Sequence, residues 1–214
     1  MSIPRERILE ALREARKVSP KRRFEQSIEL MINLKDIDLK RPENRINLKI
    51  RLPNGVGKRR VLVFASGDLA LRAREAGADE VMDPNELQSI AGDKKEVKRR
   101  LKDYDLFLAE APLMPLIGRI VGPILGPRGK MPTPVPPQAS IEEVMERERK
   151  TILLRSRDKP YVMCIVGKEG MSDEEVAENI EAVFSTLLRT LKKGMGNIKS
   201  AYVKLTMGPA VRLI

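Results

Sequence analysis

Two kinds of hydrophobic pattern divide this chain of 214 residues. From Phe24 to Asp38 apolar and polar residues alternate, which predicts a strand with one buried face. In the middle of the chain the apolar residues are continuous instead, in Val61–Ala65 and in Leu106–Ala109. Such runs are typical of strands covered on both faces, as in a parallel sheet. The apolar face of the alternating strand consists of Ile28, Leu30, Ile32 and Leu34.

The alternating pattern recurs in three further segments. Ile46–Leu52 repeats it, and we expect this segment to pair antiparallel with the strand at 24–38. Thr151–Arg157 and Tyr161–Val166 also alternate, and we predict a hairpin between them around the turn Asp158-Lys159-Pro160. These segments are therefore expected to build antiparallel structure.

Helical periodicity appears between and beside the strands. Arg5–Arg16 is predicted as the first helix, and Ser172 or Asp173 is expected to cap a long helix that ends at Leu191. A last strand is expected over Ile198–Thr206. Further helices are predicted in the middle of the chain, over Leu69–Ala76, Asn85–Ala91, Lys94–Lys102, Pro115–Ile120 and Ile141–Lys150.

Neither end of the chain is long enough to form a stable core easily by itself. Each has about 60 residues, which is marginal for an independent domain. Joined, the ends supply a sheet and two helices. We therefore predict a discontinuous α+β domain from 1–60 and 153–214, with an antiparallel or mixed sheet and helices on one face. Residues 61–152 are predicted to form an inserted α/β, Rossmann-like domain, connected by two strands that act as a hinge.

The charge of the chain is concentrated at its two ends. The first 60 residues carry 17 Lys or Arg against 8 Asp or Glu, and the last 64 carry 10 against 7. Residues 61–150 are nearly balanced, with 14 against 15. A cationic field of this kind attracts polyanions, which predicts nucleic acid as the partner; basic residues that serve only solubility are an alternative.

Composition also excludes several function classes. The chain has one cysteine and no histidine, which removes disulfide frameworks, most zinc sites and histidine-dependent catalytic triads. We expect no metal and no cofactor. No apolar run is long enough to span a membrane, and residues 1–17 lack the apolar core of a signal peptide, so a cytoplasmic location is expected.

Two loops resemble phosphate-binding motifs only in part. Gly122–Pro132 lacks the early glycine and the late Ser or Thr of a Walker A motif, and its prolines remove backbone donors, so we expect a rigid, basic surface loop. Ala65–Asp68 has a single glycine where a dinucleotide site needs three. An enzyme or nucleotide-binding protein that uses the α/β segment remains the alternative from another class. Cys164 is expected to be buried and inert.

One candidate RNA-binding motif lies at the start of the first strand. Lys21, Arg22 and Arg23 can engage phosphates, Phe24 can lie on a sugar or base, and Ser27 can hydrogen-bond a 2′-hydroxyl. The alternative is a solvated basic segment with Phe24 in the core. Because the seven Phe and Tyr residues are spread singly, we expect recognition of a folded RNA by shape rather than stacking on a single strand.

A second candidate motif ends the last strand. Gly208 lets another backbone approach closely, Pro209 stiffens the exit, and Thr206 offers a hydroxyl at the edge of the sheet. Alone, this motif is an ordinary strand terminator. Both motifs fall in the basic discontinuous domain, which strengthens each as a candidate site.

Four segments together resemble the ribosomal protein L1 family, the protein of the mobile stalk of the large ribosomal subunit. They occur in the family's order and cover nearly the whole chain: Arg23–Leu30, Leu52–Lys58, Leu125–Pro132 and Ser200–Pro209. The Gly-Pro-Arg-Gly-Lys-Met-Pro form of the third segment is similar to the archaeal branch.

The resemblance implies a non-enzymatic, monomeric protein that binds large-subunit rRNA on the ribosome. It also implies that the protein helps deacylated tRNA to leave the exit site and represses translation of its own mRNA. A repressor that never enters ribosomes is a further alternative. With the motifs above, the implied rRNA surface comprises Arg23, Phe24, Glu25, Ser27, Lys168, Ser200, Thr206, Met207, Gly208 and Pro209. Arg128 and Lys130 are candidates for an RNA contact of the second domain.

Overall fold

The computed structural model describes residues 3–136, 138–156 and 159–214. The chain divides into two compact units. Met1–Gly57 and Lys150–Ile214 form one of them, which we call the composite unit. Lys58–Arg149 forms the other, which we call the inner unit. The chain therefore leaves the first unit, completes the second, and returns to the first.

A four-stranded antiparallel sheet is the centre of the composite unit. Its strands are β1 (Ser27–Leu34), β8 (Tyr161–Lys168), β9 (Ile198–Leu205) and β10 (Val211–Arg212), in the order β10-β9-β1-β8. The central strand β1 is paired on both sides, with β8 along one edge and β9 along the other. The first strand of the chain therefore finds its neighbours only near the end of the chain.

The core of the composite unit lies on one face of this sheet. Every second residue of β1 is buried, as the alternating sequence predicts. Two helices cover that face with their apolar sides, α1 (Arg5–Val18) and α8 (Asp173–Thr190). The α8 helix begins with a capping box in which Ser172 and Glu175 satisfy each other's backbone N–H groups, a strong start signal.

The predicted partners of the other alternating segments are wrong. The strand β2 (Asn47–Arg51) does not pair with β1 but with β7 (Thr151–Arg155), in a separate two-stranded antiparallel sheet. The predicted hairpin of 151–157 with 161–166 is also wrong, since β7 and β8 belong to different sheets. Alternation specifies which face of a strand is buried but not which strand lies beside it. Arg157, the last residue of the predicted strand, and Asp158, the first of the predicted turn, lie outside the described residues.

A buried amide fixes the turn that follows β2. Asn179 of α8 is fully buried; its side-chain N–H groups donate to the carbonyls of Gly55 at 2.7 Å and Val166 at 2.8 Å. Its side-chain oxygen accepts from the Asn54 N–H at 3.1 Å. All of its strong hydrogen-bonding groups are used, so this polar side chain can stay in the core and tie the turn to the sheet.

The inner unit has the parallel sheet that its continuous apolar runs predict. Its strands are β3 (Val61–Phe64), β4 (Glu80–Met82), β5 (Leu106–Glu110) and β6 (Thr133–Val135), in the order β4-β3-β5-β6. All four residues of β3 are buried, and they alternate between two separate apolar cores. Its helices are α2 (Gly67–Glu75), α3 (Pro84–Ser89), α4 (Lys94–Leu101), α5 (Met114–Ile120), α6 (Gly122–Arg128) and α7 (Ile141–Arg149).

The segment predicted as a rigid surface loop is largely helical. Residues 122–128 form α6, because Ile124 and Leu125 are buried in one of the inner cores. Pro123 lies in the first turn, where its missing N–H has no helical partner to lose. Gly129 ends the helix with a φ of 70°, a left-handed conformation that glycine adopts without strain. The prolines of this segment argue against a phosphate-binding loop, but they are compatible with a helix.

Candidate nucleic-acid interface

The second face of the composite sheet carries the candidate interface. The residues of β1 that point away from the core are Ser27, Glu29, Met31 and Asn33, and each is partly exposed. We call this side of the sheet, with the side chains that flank those four residues, the open face. The flanking residues in register on β8 and β9 are Lys168, Ile165, Lys204, Met163, Tyr202, Tyr161 and Ser200.

One end of the open face is a row of polar groups. Ser27 lies opposite Lys168 on one side. On the other side its backbone bonds Thr206, just after β9: the Thr206 N–H donates to the Ser27 carbonyl at 3.0 Å. The Thr206 hydroxyl accepts from the Ser27 N–H at 3.1 Å and lies 3.3 Å from the Ser27 carbonyl. The predicted sites around residues 27, 168 and 206 are therefore neighbours, and the Thr206 hydroxyl has a structural role.

A buried glutamine stabilises this end of the sheet through hydrogen bonds. Gln26 is fully buried, and its side-chain oxygen accepts from the Met207 N–H at 3.0 Å. Its side-chain nitrogen donates to the Pro20 carbonyl at 3.0 Å. Its backbone N–H donates to the Glu169 carboxylate at 3.2 Å, and its carbonyl accepts from the Glu169 N–H at 2.9 Å. The segments around residues 20 and 207 thus meet at the side chain of Gln26, and the segment around residue 169 meets its backbone.

Charged side chains extend the row from Ser27. The Lys168 ammonium lies 3.4 Å from the Glu25 carboxylate, with Glu25 about half exposed. A Cβ built on Gly57 would lie 3.1 Å from Lys168 Cδ, so Gly57, whose φ is 82°, lets the lysine side chain pass close to the backbone. Arg23 is exposed. The predicted cations and the carboxylate of Glu25 therefore lie around the same strand end.

Two large apolar side chains at this end are exposed. Phe24 is 53% exposed and Met207 is 51% exposed, so the alternative that placed Phe24 in the core is wrong. Pro209 is exposed as well. The polar strand end therefore also presents apolar surface to the solvent.

Gly208 makes the close approach that the sequence predicts, but within the chain. A Cβ on Gly208 would overlap the side chain of Ser19, which follows α1. The Ser19 hydroxyl donates to the Ala15 carbonyl at 2.6 Å, so it is held in place. No side chain fits at position 208 unless Ser19 moves. The glycine therefore positions the Thr206–Pro209 turn against α1.

Ser200 lies on the open face but far from the polar row. It is buried between its neighbours, and its hydroxyl accepts from the Asn33 side-chain N–H at 2.9 Å. Six residues of extended chain separate it from Thr206, about 20 Å. Between the two ends the face is largely apolar, with exposed Met163 and Ile165 along β8, and the exposed Tyr161 lies at the Ser200 end. The predicted residues thus mark both ends of one continuous face.

Comparison with known proteins assigns the chain to a family. The model of the ribosomal protein L1p/L10e family matches residues 13–209. This chain belongs to that family. It is 50% identical over 210 residues to the large ribosomal subunit protein uL1 of Methanothermococcus thermolithotrophicus, covering 98% of both chains. It is 49% identical to the protein of that name from Pyrococcus horikoshii, over 100% of this chain and 98% of the relative.

The L1-family segment at residues 125–132, which includes the end of α6, holds the two remaining candidates. The Lys130 ammonium donates to the Tyr104 carbonyl at 2.9 Å and lies 3.9 Å from the Asp105 carboxylate, and burial lowers the pKa of this lysine. Arg128 is exposed. Lys130 thus forms contacts within the inner unit, and Arg128 is the more exposed of the two cations.

The inner unit of this L1-family chain holds a carboxylate where a dinucleotide-binding fold would hold pyrophosphate. At the ends of β3 and β5, the Ser66 N–H and hydroxyl both donate to the Glu110 carboxylate, at 3.1 and 3.0 Å. Within residues 3–136, 138–156 and 159–214 no group of three His, Cys, Asp or Glu could hold a metal ion. No described helix is long and apolar enough to cross a membrane.

Sequence reasoning missed Gln26 and the apolar middle of the open face. Gln26 directly precedes a strand at a position with the inward parity of Ile28 and Leu30. A polar residue at an inward position is a usable signal, since buried polar side chains need partners. The apolar residues of β8 gave no such signal: all six residues from Tyr161 to Val166 are hydrophobic, so the alternation expected there exists in burial but not in residue type.

Proposed function

We propose that this L1-family protein binds large-subunit rRNA through the open face and its polar end. One observation carries the proposal: Ser27, Lys168 and Thr206 form a row at the strand ends, beside the exposed Phe24 and Met207. The row offers hydroxyl, ammonium and backbone groups to an RNA backbone. The exposed side chains offer apolar surface to sugars and bases.

In this proposal, one set of groups supplies the affinity for RNA and another set positions the RNA on the face. Lys168, Lys204 and Arg23 provide cationic attraction through the release of counterions, which does not depend on RNA sequence. The hydroxyl oxygen of Thr206 keeps acceptor capacity beyond its contacts to Ser27, so a 2′-hydroxyl can donate to it. A group that exists only in RNA would then select RNA over DNA.

The finer roles follow from the family and belong to the same proposal. The composite unit acts as the RNA-binding domain, with residues 61–152 as a Rossmann-like insert. The protein binds at the mobile stalk of ribosomes in the cytoplasm, helps deacylated tRNA to leave the exit site, and represses its own mRNA. It is a monomer when free and acts without catalysis. The name of the relatives, large ribosomal subunit protein uL1, supports the ribosomal part.

A pair of variants that shorten exposed apolar side chains tests the proposed face. Met207→Ala should weaken binding to large-subunit rRNA by about 1–3 kcal/mol, because it removes one desolvated contact. Leu71→Ala is the control, since Leu71 is 58% exposed and lies on α2 of the inner unit. Filter binding measures both, and circular dichroism checks the fold. Equal affinity of both variants and the wild type would remove residue 207 from the interface.

Salt dependence tests the ionic part of the proposal. About six phosphate contacts predict a slope near −4 to −5 for log affinity against log salt. An affinity that does not change with salt would contradict the cationic mechanism. Sedimentation of the labelled chain with large ribosomal subunits distinguishes a ribosomal protein from a repressor that never enters ribosomes.

A further inference from the structure

The inner unit concentrates positive charge on one side of one helix. The α4 helix and its C-terminal cap carry Lys94, Lys98 and Lys102 one turn apart, and Lys95 lies beside them at three-residue spacing from Lys98. All four side chains are exposed. We call these four residues the α4 lysine stripe. Because residues 61–150 are nearly neutral overall, the net charge of this segment does not reveal the stripe.

The other cations of α4 are paired within the chain. Arg99 lies 2.7 Å from the Glu96 carboxylate, and Arg100 forms ion pairs with Glu80 and Glu86. Among the residues that the structure describes, no carboxylate lies within 4.0 Å of a stripe ammonium group. The carboxylates of this region therefore neutralise one flank of the helix and leave the other cationic.

Folding alone does not account for the stripe. Lys94 and Lys95 lie in the first turn, where the helix dipole disfavours cations, and Lys94, Lys98 and Lys102 repel one another at four-residue spacing. Val97 and Leu101 already anchor the helix in the core, and Asp93 caps it. Lys94 and Lys95 thus oppose the local stability of α4, although the dipole favours Lys98 and Lys102 at its C-terminal end. An external row of negative charges would compensate the first-turn pair and the repulsion along the stripe.

We propose that the α4 lysine stripe is a second RNA-binding surface, which contacts the phosphate backbone of a folded RNA. Four-residue steps along a helix advance about 6 Å, which suits a regular row of phosphates. Lysine supplies point charges without base recognition, so this contact adds affinity and salt dependence rather than sequence specificity. The inference rests on the proposed function only in that the full chain binds RNA.

A charge-matched pair of double variants tests this surface in the full-length chain. Lys94→Gln/Lys98→Gln removes two stripe charges, and Arg74→Gln/Arg119→Gln removes two exposed charges elsewhere in the inner unit. Lys94→Arg/Lys98→Arg keeps the stripe charge. The probes are bulk deacylated tRNA and large-subunit rRNA, titrated by filter binding at several salt concentrations.

The stripe variant should bind at least one probe about five- to tenfold more weakly, with a salt slope shallower by about 1.5, since each lost contact removes about 0.7–0.9. The arginine-restored variant should bind like the wild type, and the Arg74/Arg119 control should change little.

Unchanged affinity and slope for both probes, with Met207→Ala still impaired, would overturn this inference alone and indicate a solvated face or an acidic protein partner. An equal loss in the Arg74/Arg119 control would also overturn it. A wild type that binds neither probe would overturn the proposed function as well.

Discussion

The two sheets of this protein differ in what they leave uncovered. In the composite unit the helices cover one face of an antiparallel sheet, and the other face keeps exposed side chains such as Met163. In the inner unit both faces of a parallel sheet are buried, so that all four residues of β3 are in the core. Only the first arrangement leaves a sheet face free to bind a ligand.

This difference determines where each unit can carry function. The composite unit can use the sheet itself, whose regular strands fix side chains in rows. The inner unit can bind a ligand only through its helices and the ends of its strands. At one of these strand ends the Glu110 carboxylate already occupies the position beside Ser66. The α4 lysine stripe fits this limit, because it lies on a helix surface.

The largest expected effect compares one side chain from each sheet. Phe64 is 1% exposed and stacks on Phe107, with ring centroids 6.4 Å apart, so Phe64→Ala should lower the free energy of unfolding by about 3–5 kcal/mol. Met163→Ala, at a position 45% exposed, should cost less than about 1 kcal/mol. Urea titration followed by circular dichroism measures both. Similar costs would show that the open face is as tightly packed as the inner core.

A smaller effect concerns the turn beside the polar row. Gly208→Ala should destabilise the protein by about 1–3 kcal/mol and weaken rRNA binding, because the new methyl group displaces Ser19. The control is Gly118→Ala, where a Cβ meets nothing within 4 Å in α5. Ser19→Gly should partly restore Gly208→Ala, which a double-mutant cycle detects as coupling. Strictly additive effects would refute the steric explanation.

The smallest expected effect concerns pH. Burial raises the pKa of the Cys164 thiol from 9.0 to about 12, so the folded chain keeps this proton after the unfolded chain loses it. Stability should therefore fall as the pH rises from 9 to 12, by about 1 kcal/mol between pH 8 and 10. Cys164→Ala should lack this part of the pH dependence in urea titrations. Fast reaction of the folded chain with a thiol reagent at pH 8 would contradict the burial.

The sequence predicted local structure better than it predicted neighbours. The period of two in Ile28–Leu34 reports which face is buried, and continuous runs such as Val61–Ala65 report burial on both faces, so strands and sheet types followed. The pairing of β2 with β7 could not follow, because strands with the same alternation are interchangeable without long-range information. The α6 helix was missed because its prolines favour loops locally, while the burial of Ile124 and Leu125 overrides that preference.

The candidate site shows the same limit. The motifs around Ser27 and Thr206 could be found separately from their residue types, and the structure brings them within hydrogen-bond distance. The contribution of Gln26 depends on segments near residues 20, 169 and 207, whose proximity no local pattern encodes. Whether RNA occupies the site stays a prediction.

The pairing of β1 with β8 and β9 has a consequence during synthesis. Ser27 meets both of its neighbours only after Lys168 and Thr206 have been synthesised, and Thr206 lies 179 residues further along the chain. The polar end of the open face, which we propose as the rRNA contact, is therefore assembled late, after the whole inner unit has been made.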